Sequence, residues 1–489
     1  MTGSESLDFI KKELISLEIT MVADVANKSG IIGSLHKDQQ EAAKNLVEYL
    51  TVRNRDLRVL QDALHISGLS SLASSESHIK RQVQAILERL GESYPAGQID
   101  TCDFSFGKMK IDERSHLLFG KKTNPNIPSL MVTFDSGFAD SYALIKSLLE
   151  NGMNVARINC AHDDEAVWSK MISKLRKACR HTGIDCKIYM DLAGPKIRTV
   201  LLKKGKEKGK VKVKEGDLIW LAEDGKSFDK EDIVISPNVL GILPYLKKGN
   251  RVYIDDGIIR AVVEKTKSDQ VAIRITRISS EKSQIKAEKG INFPDTLIQI
   301  PSLTEFDKAC LPFICENADL IGYSFVRTAQ DIDNLQAELK EITDQPPLMV
   351  IKIETPEAVS NLPSLLFEGM KQKVFGVMIA RGDLAVEIGF ERMGEIQEQI
   401  LWICEAAHVP VVWATQVLES LNKSGMATRS EITDAGQSAN AECVMINKGD
   451  HTIEVMETLK DILQRSAEHR VKKRFRFRQL KIAERFLKL

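Results

Sequence analysis

VIKIE (residues 350–354), VMIARGD (377–383) and VVWATQ (411–416) are short apolar runs, each ending in residues able to do chemistry, and about thirty residues separate one from the next. VARIN (155–159), IYMDLAGPKIR (188–198) and IGYSFVR (321–327) share that form. A strand of five or six residues, a helix of about twelve and two short loops need roughly thirty residues. The spacing therefore predicts repeated strand–helix units and a parallel sheet closed into a barrel. Chemistry then belongs at the strands' carboxyl ends, where Asn159, Asp191, Phe325, Glu354, Asp383 and Thr415 fall. The stretch between Asp191 and Phe325 breaks the rhythm and reads as an insertion.

At 489 residues the chain is too long for one ordinary core, and a prior of about 150 residues per domain predicts roughly three. Its 68 basic and 68 acidic residues balance, so no net field draws it to nucleic acid or to a membrane surface, and a small ligand is expected. No apolar run reaches about eighteen residues, and the first residues, MTGSESLDFIKKE, lack a basic region followed by an apolar one. A cytoplasmic protein is expected. The eight cysteines (102, 160, 179, 186, 310, 315, 404 and 443) form no CxxC pair and read as reduced core thiols. Cys160, beside Asn159, is expected to pack rather than react.

Residues 1–125 carry helical patterning, clearest at Leu46, Leu50, Leu57, Leu60 and Leu64. In GLSSLASSESH (68–78), Gly68 is expected to end one helix and the serines to cap the next. The extension is either a docking surface or a satellite packed on its own barrel. Barrel units occupy 126–199, beginning with SLMVTF. From 200 to 290 the texture changes to short alternating runs with Gly turns, such as QVAIRITRI, which predicts a small β domain. Seven lysines between Lys203 and Lys214 make its first hairpin basic, either as a solvated edge or for phosphate attraction. The barrel resumes over 291–468, with strands near 320, 350, 377, 412 and 445. The tail, 469–489, holds eight Lys or Arg against one acid after Val471 and reads as a terminal helix or an anion-binding segment.

Lys352 and Glu354 are two apart, so on a strand both face the same way. Asp383 can add a carboxylate from the next unit. Two carboxylates completed by water are a hard-oxygen site for Mg2+ or Mn2+ with a phosphate substrate. Alternatively, Lys352 and Glu354 simply neutralise each other. Arg157 with Asn159, and Lys196 with Arg198, bring further cations to strand ends, as a transferring phosphoryl group requires. In ARGD a Gly at a helix start lets backbone N–H groups approach a carboxylate. Thr415 offers a hydroxyl for proton delivery through water.

These motifs resemble the pyruvate kinase family from about Leu130 to Ala467: RINCAH, DLAGPKIR, IDDG with KGINFP, SFVR, IKIE with IARGD, and ATQVLES followed by ATRSE. The resemblance implies an α/β fold, an (α/β)8 TIM barrel with an inserted small β-barrel domain after the third strand and, here, an extra N-terminal helical region. It implies phosphoryl transfer from phosphoenolpyruvate to ADP, giving pyruvate and ATP. Glu354 and Asp383 would hold Mg2+ (or Mn2+) and the substrate. Lys352 would stabilise the transferring phosphoryl and the enolate, with Arg157 a further catalytic cation. Backbone groups of Arg381, Gly382 and Asp383 would hold the carboxylate, and Thr415 would bind substrate and assist protonation. Arg157, Asn159, His162 and Arg198 would face the nucleotide phosphates, under the inserted domain as a lid.

Departures from the family pattern are specific. RxNFSHG reads Arg157 to Asp163 with Cys160 and Ala161, so the serine that helps bind K+ is gone. DTKGPEIR reads Asp191 to Arg198, with Lys196 where most members have glutamate. This resembles members in which a lysine replaces the ion, and K+ is not expected to be required. The first-strand TxGPxS and eighth-strand LSGETA motifs read as TFDSG (133–137) and INKGDH (446–451). The family's carboxy-terminal regulatory domain is expected to be absent. A homo-oligomer is expected. The alternatives are a catalytically weak binding or regulatory protein, and a metal-enolate enzyme such as a 2-oxo acid decarboxylase or lyase.

Overall fold

The computed structural model describes residues 3–471, apart from 268, 280–283, 297 and 299, together with residues 474–475. Eight parallel strands close into a barrel in sequential order: β1 (Ser129–Phe134), β2 (Met153–Asn159), β3 (Lys187–Asp191), β4 (Leu320–Tyr323), β5 (Leu348–Ile353), β6 (Gly376–Ala380), β7 (Val411–Ala414) and β8 (Cys443–Ile446), which pairs back with β1. β4 through β8 read as near-continuous Val, Ile, Met and Leu because both faces of a barrel strand are covered.

Side-chain caps start the helices that follow most strands. Thr304 and Thr328 form capping boxes with Asp307 and Asp331, and Thr428 does so with Glu431. Asp164 caps Glu165–Thr182, and Thr355 caps a turn opened by Pro356. Short capped loops leave the chain little freedom, so strand-end residues are held to one position.

The barrel interior is filled by Met131, Val155, Tyr189, Val350, Met378 and Val412. Leu118 and Phe119, both 0% exposed, join that cluster from the end of the helix Phe104–Phe119. The extra helical region thus supplies the floor of the barrel. It is tied on elsewhere too: Arg114 donates to the Ala407 and His408 carbonyls at 3.2 and 2.8 Å, and Asn45 Nδ2 donates to the Ala406 carbonyl at 2.7 Å. The serines of 68–78 do not cap the next helix, contrary to expectation. A short 3-10 turn, Glu76–His78, intervenes, and Asn45 Oδ1 accepts the Ile79 N–H at 3.1 Å instead. Gly68 does take the left-handed φ of +68° just past the helix Arg58–Ile66.

The inserted domain has its own core, with Ile219, Leu221, Val252 and Ile273 fully buried. Its seven strands run in the order Ile291–Asn292, Arg251–Ile254, Ile259–Thr266, Gln270–Ile278, Leu218–Ala222, Val234–Pro237 and Thr199–Leu201. The two edges meet at an Arg198–Gly290 bridge, flanked by Thr199 N–H to Lys289 O at 2.8 Å and Ile291 N–H to Ile197 O at 3.0 Å. Closure removes the exposed edges. The basic run lies partly in a separate short pair, Lys210–Lys212 with Gln284–Lys286. Most of the basic tail, and with it most of the segment expected as a terminal helix, lies outside the described residues; Arg470–Val471 and Arg474–Phe475 form an antiparallel strand pair.

Candidate active site

Lys352 sits at the carboxyl end of β5, 7% exposed. Its Nζ donates to Ser324 Oγ at 2.7 Å and to Asp191 Oδ2 at 3.2 Å, and lies 3.1 Å from Glu354 Oε1. Burial works against its charge, but Asp191 and Glu354 outweigh burial and hold the ammonium above the usual lysine range. Asp191, 1% exposed at the end of β3, also accepts Arg157 Nε at 3.1 Å, Arg157 Nη2 at 2.5 Å and the Tyr189 hydroxyl at 3.2 Å. Burial raises its pKa, yet Lys352 and Arg157 together carry it below the ordinary carboxylate value. Arg157 further donates to Thr133 Oγ1 at 3.1 Å.

Glu354 is 2% exposed, and burial, helped by the charge of Asp383 against that of Lys352, pushes its pKa up. Its Oε2 accepts the Phe325 N–H at 2.6 Å. Phe325 stands at φ +56°, a conformation that aims its N–H at the carboxylate. Gly194 makes room for this turn: at φ +65°, an added Cβ would fall 2.8 Å from the Phe325 ring and 2.9 Å from Ser324 Cβ.

Asp383 lies in the first turn of the helix Arg381–Ile388, and its Oδ1 accepts Lys196 Nζ at 2.7 Å. Lys196 therefore pairs with Asp383, while Asp191 is occupied by Arg157 and Lys352. Among the described residues, no three His, Cys, Asp or Glu side chains converge as a metal cluster. The donor set is two carboxylates, which fits Mg2+, an ion that takes one or two carboxylates and fills its shell with water and substrate oxygens. Burial is the main reason the Glu354 pKa is raised, with the Asp383 charge adding to it against Lys352.

Arg381 spends its guanidinium on the fold. It donates to the Ala414 carbonyl at 3.0 Å, to the Thr415 carbonyl at 2.5 Å and to Asp434 Oδ1 at 2.5 Å, and stacks 4.6 Å over Trp413. The Gly382 N–H donates to Thr415 Oγ1 at 2.8 Å, so this backbone donor points at Thr415. Thr415 itself has φ +68°, an outlying conformation for a β-branched residue, maintained by those two contacts.

Thr415, Arg157, Asn159, His162, Asp135 and Lys448 line a cavity of about 500 Å3 at the barrel mouth. Burial and then Lys448, Arg198 and Arg157, opposed by Asp163, push the His162 pKa down. Arg198 lies at the root of the inserted domain, its Nη1 donating to the Glu288 carbonyl at 3.1 Å. Asn159 Oδ1 turns back onto the Ala161 N–H at 3.1 Å. Cys160 is 1% exposed with its thiol pKa raised by burial, in keeping with packing. Of the two loops that depart from the family pattern, the first is bonded within itself and the second to the helix Glu419–Ser424. Asp135 accepts the Gly137 N–H at 3.0 Å, and Asn422 Nδ2 donates to the Asn447 carbonyl at 2.7 Å.

Sequence reasoning missed Ser324, Lys448 and Asp256 as site residues. Ser324 and Asp256 stand inside the SFVR and IDDG motifs and Lys448 inside the altered loop INKGDH, so a signal was present for each, but nothing local says which way a loop lysine turns.

The pyruvate kinase barrel-domain family model matches residues 129–463. Pyruvate kinase of Geobacillus stearothermophilus is 31% identical over 343 residues, covering 68% of this chain and 56% of that protein. Pyruvate kinase 2 of Trypanosoma brucei brucei is 31% identical over 328 residues, 65% of this chain and 62% of that protein. The cytosolic isozyme of pyruvate kinase from Glycine max is 33% identical over 312 residues, 63% of this chain and 58% of that protein. The chain thus spans little more than half the length of the curated relatives it matches. With the barrel, the insertion after β3 and the motif residues gathered at one mouth, this chain belongs to the pyruvate kinase family.

Proposed function

We propose that the chain transfers the phosphoryl group of phosphoenolpyruvate to ADP, giving pyruvate and ATP. The observation that carries this reading is the cluster of Lys352, Glu354, Asp191 and Arg157, beside a cavity lined by Arg157, His162 and Lys448. One buried cation faces the carboxylates, and several more stand where a second set of phosphates would lie.

In this reading the phosphorus–oxygen bond of the enol phosphate breaks, its electron pair stays on the enolate oxygen, and a terminal phosphate oxygen of ADP takes the phosphoryl group. Lys352 holds the charge that passes from phosphoryl oxygens to enolate, with Arg157 beside it, and Asp191 and Ser324 keep its ammonium in place. Glu354 and Asp383 would hold Mg2+, which supplies Lewis-acid stabilisation of the phosphoryl and enolate oxygens. The first turn Arg381–Gly382–Asp383 would receive the substrate carboxylate at a helix amino end, with the Gly382 N–H leaving Thr415 Oγ1 for it. The Thr415 hydroxyl stands at its edge, placed to pass a proton through water to the enolate carbon. Asn159, His162 and Arg198 face the nucleotide, with the inserted domain (200–290) as its lid.

Lys196 supplies the charge for which most family members recruit K+, so turnover proceeds without that ion. We place the protein in the cytoplasm as a homo-oligomer. No helix among the described residues is long and apolar enough to cross a membrane.

The test is pyruvate formation from phosphoenolpyruvate and ADP with Mg2+, with and without K+, for wild type and Lys352→Met. Turnover indifferent to K+ and lost in the variant is expected. Phosphoenolpyruvate bound without turnover would return the chain to a binding role.

A further inference from the structure

Lys196 is where the barrel, the hinge and the inserted domain meet. It lies on the segment that leaves β3, yet its ammonium reaches Asp383 on the helix after β6, 187 residues on, at 2.7 Å. The stem passes directly over Gly290 on the returning hinge strand. A Cβ there would lie 3.2 Å from Lys196 Cε and 3.8 Å from both Lys196 Nζ and Asp256 Oδ1. The glycine at 290 lets the lysine stem pass close to the backbone. Asp256 belongs to the turn between inserted-domain strands Arg251–Ile254 and Ile259–Thr266, and together with Glu354 it acts on the same ammonium. Its neighbour Asp255 is already taken by Lys289 at 3.1 Å. One carboxylate, Asp383, therefore holds the lysine, and the charges of Asp256 and Glu354 favour its ammonium from further off.

We infer that Lys196 is a resident counter-ion of the divalent-cation site: it holds Asp383 while the cation is away and competes with the cation for that carboxylate. The inference rests on the reading of Glu354 and Asp383 as metal ligands. It goes beyond replacement of K+, which would leave the lysine indifferent to the divalent ion. A carboxylate shared between an ammonium on one oxygen and Mg2+ at about 2.0–2.1 Å from the other sets two cations against each other, so each weakens the hold of the other. Lys196 acts here as a positioning residue.

The test is direct titration of the full, substrate-free chain with Mn2+, following free Mn2+ by electron paramagnetic resonance. Lys196→Met and Lys196→Gln are expected to bind Mn2+ at least about tenfold more tightly than wild type, because they remove the competitor. Lys196→Arg, which restores the charge, is expected to stay within about threefold of wild type, as is Lys289→Met, which removes a nearby cation not in contact with Asp383. Binding no tighter in either neutral Lys196 variant would overturn the inference. So would equal tightening in Lys289→Met, which would reduce the effect to the general field, or no Mn2+ binding in any of these proteins. Tightened binding in a protein that fails to turn over phosphoenolpyruvate would sink the kinase reading and leave this one standing.

Discussion

Lys352 Nζ and Asp191 Oδ2 meet at 3.2 Å although 161 residues separate them along the chain. The whole inserted domain lies between them in sequence, and only closure of β3 and β5 around β4 brings them together. Both are buried, and each stabilises the other's charged form. Replacing Lys352 by Met leaves Asp191 with Arg157 alone and Glu354 without its cation. Turnover should fall by about a thousandfold or more. The fold should also lose about 3–5 kcal/mol, the cost of leaving a buried charge unpaired. Steady-state rates and chemical denaturation of the same preparation check both effects, and an equally active variant would remove Lys352 from the mechanism.

Thr415 holds the Gly382 N–H through its hydroxyl. Thr415→Val keeps the shape but removes the acceptor, and turnover should drop by about ten- to a hundredfold, while Thr415→Ser retains most of it. Because Ser keeps the hydroxyl, equal losses in both variants would point to the strained backbone instead of the hydroxyl.

Lys196 separates this chain from the usual family pattern. Turnover of wild type should change by less than about twofold when K+ replaces an inert cation, whereas Lys196→Glu should be weak without K+ and regain only part of its rate with it, because Ala161 lacks the serine hydroxyl that helps bind the ion. A K+-stimulated wild type would end the substitution argument.

Glu48, 4% exposed in the helical region, is pushed by burial, with Asp100 adding to it and Lys80 opposing, from 4.5 to about 8. The folded chain therefore holds a proton that the unfolded chain releases between those two values. Stability from this group is full below about pH 4.5 and declines as pH rises toward 8. Glu48→Gln imitates the protonated form. It should be about 1–3 kcal/mol more stable than wild type at pH 8.5 and nearly equal at pH 5, read from urea denaturation at each pH. A variant less stable at the higher pH would contradict the sign.

Leu118 belongs to the helical region but is buried in the barrel interior. Leu118→Ala should cost about 2–5 kcal/mol by cavity formation and lower the melting temperature of the barrel. A melting change confined to the helical region would show that the two units fold apart.

The strand rhythm of VIKIE, VMIARGD and VVWATQ was legible because a buried parallel strand announces itself as a short apolar run, and a capped helix as Thr or Asp before a periodic segment. The same local rule misread 68–78: serines look like caps, but the Ile79 N–H is satisfied by Asn45 from another helix. Arg381 and Gly382 show a similar limit. Their place at a helix start was readable, but their partners, Asp434 and Thr415, come from the unit around β7.

The sequence by itself determined the repeat, the insertion and the kinds of group at each strand end, because periodicity and motif spacing are properties of short segments. Which group faces which was decided by the tertiary structure. Lys196 turns to Asp383, Lys352 is shared between Asp191 and Glu354, and Leu118 plugs a barrel it precedes in the chain. Those pairings follow from barrel closure and from the competition of several charges for few partners in a buried space, and no single segment carries that information.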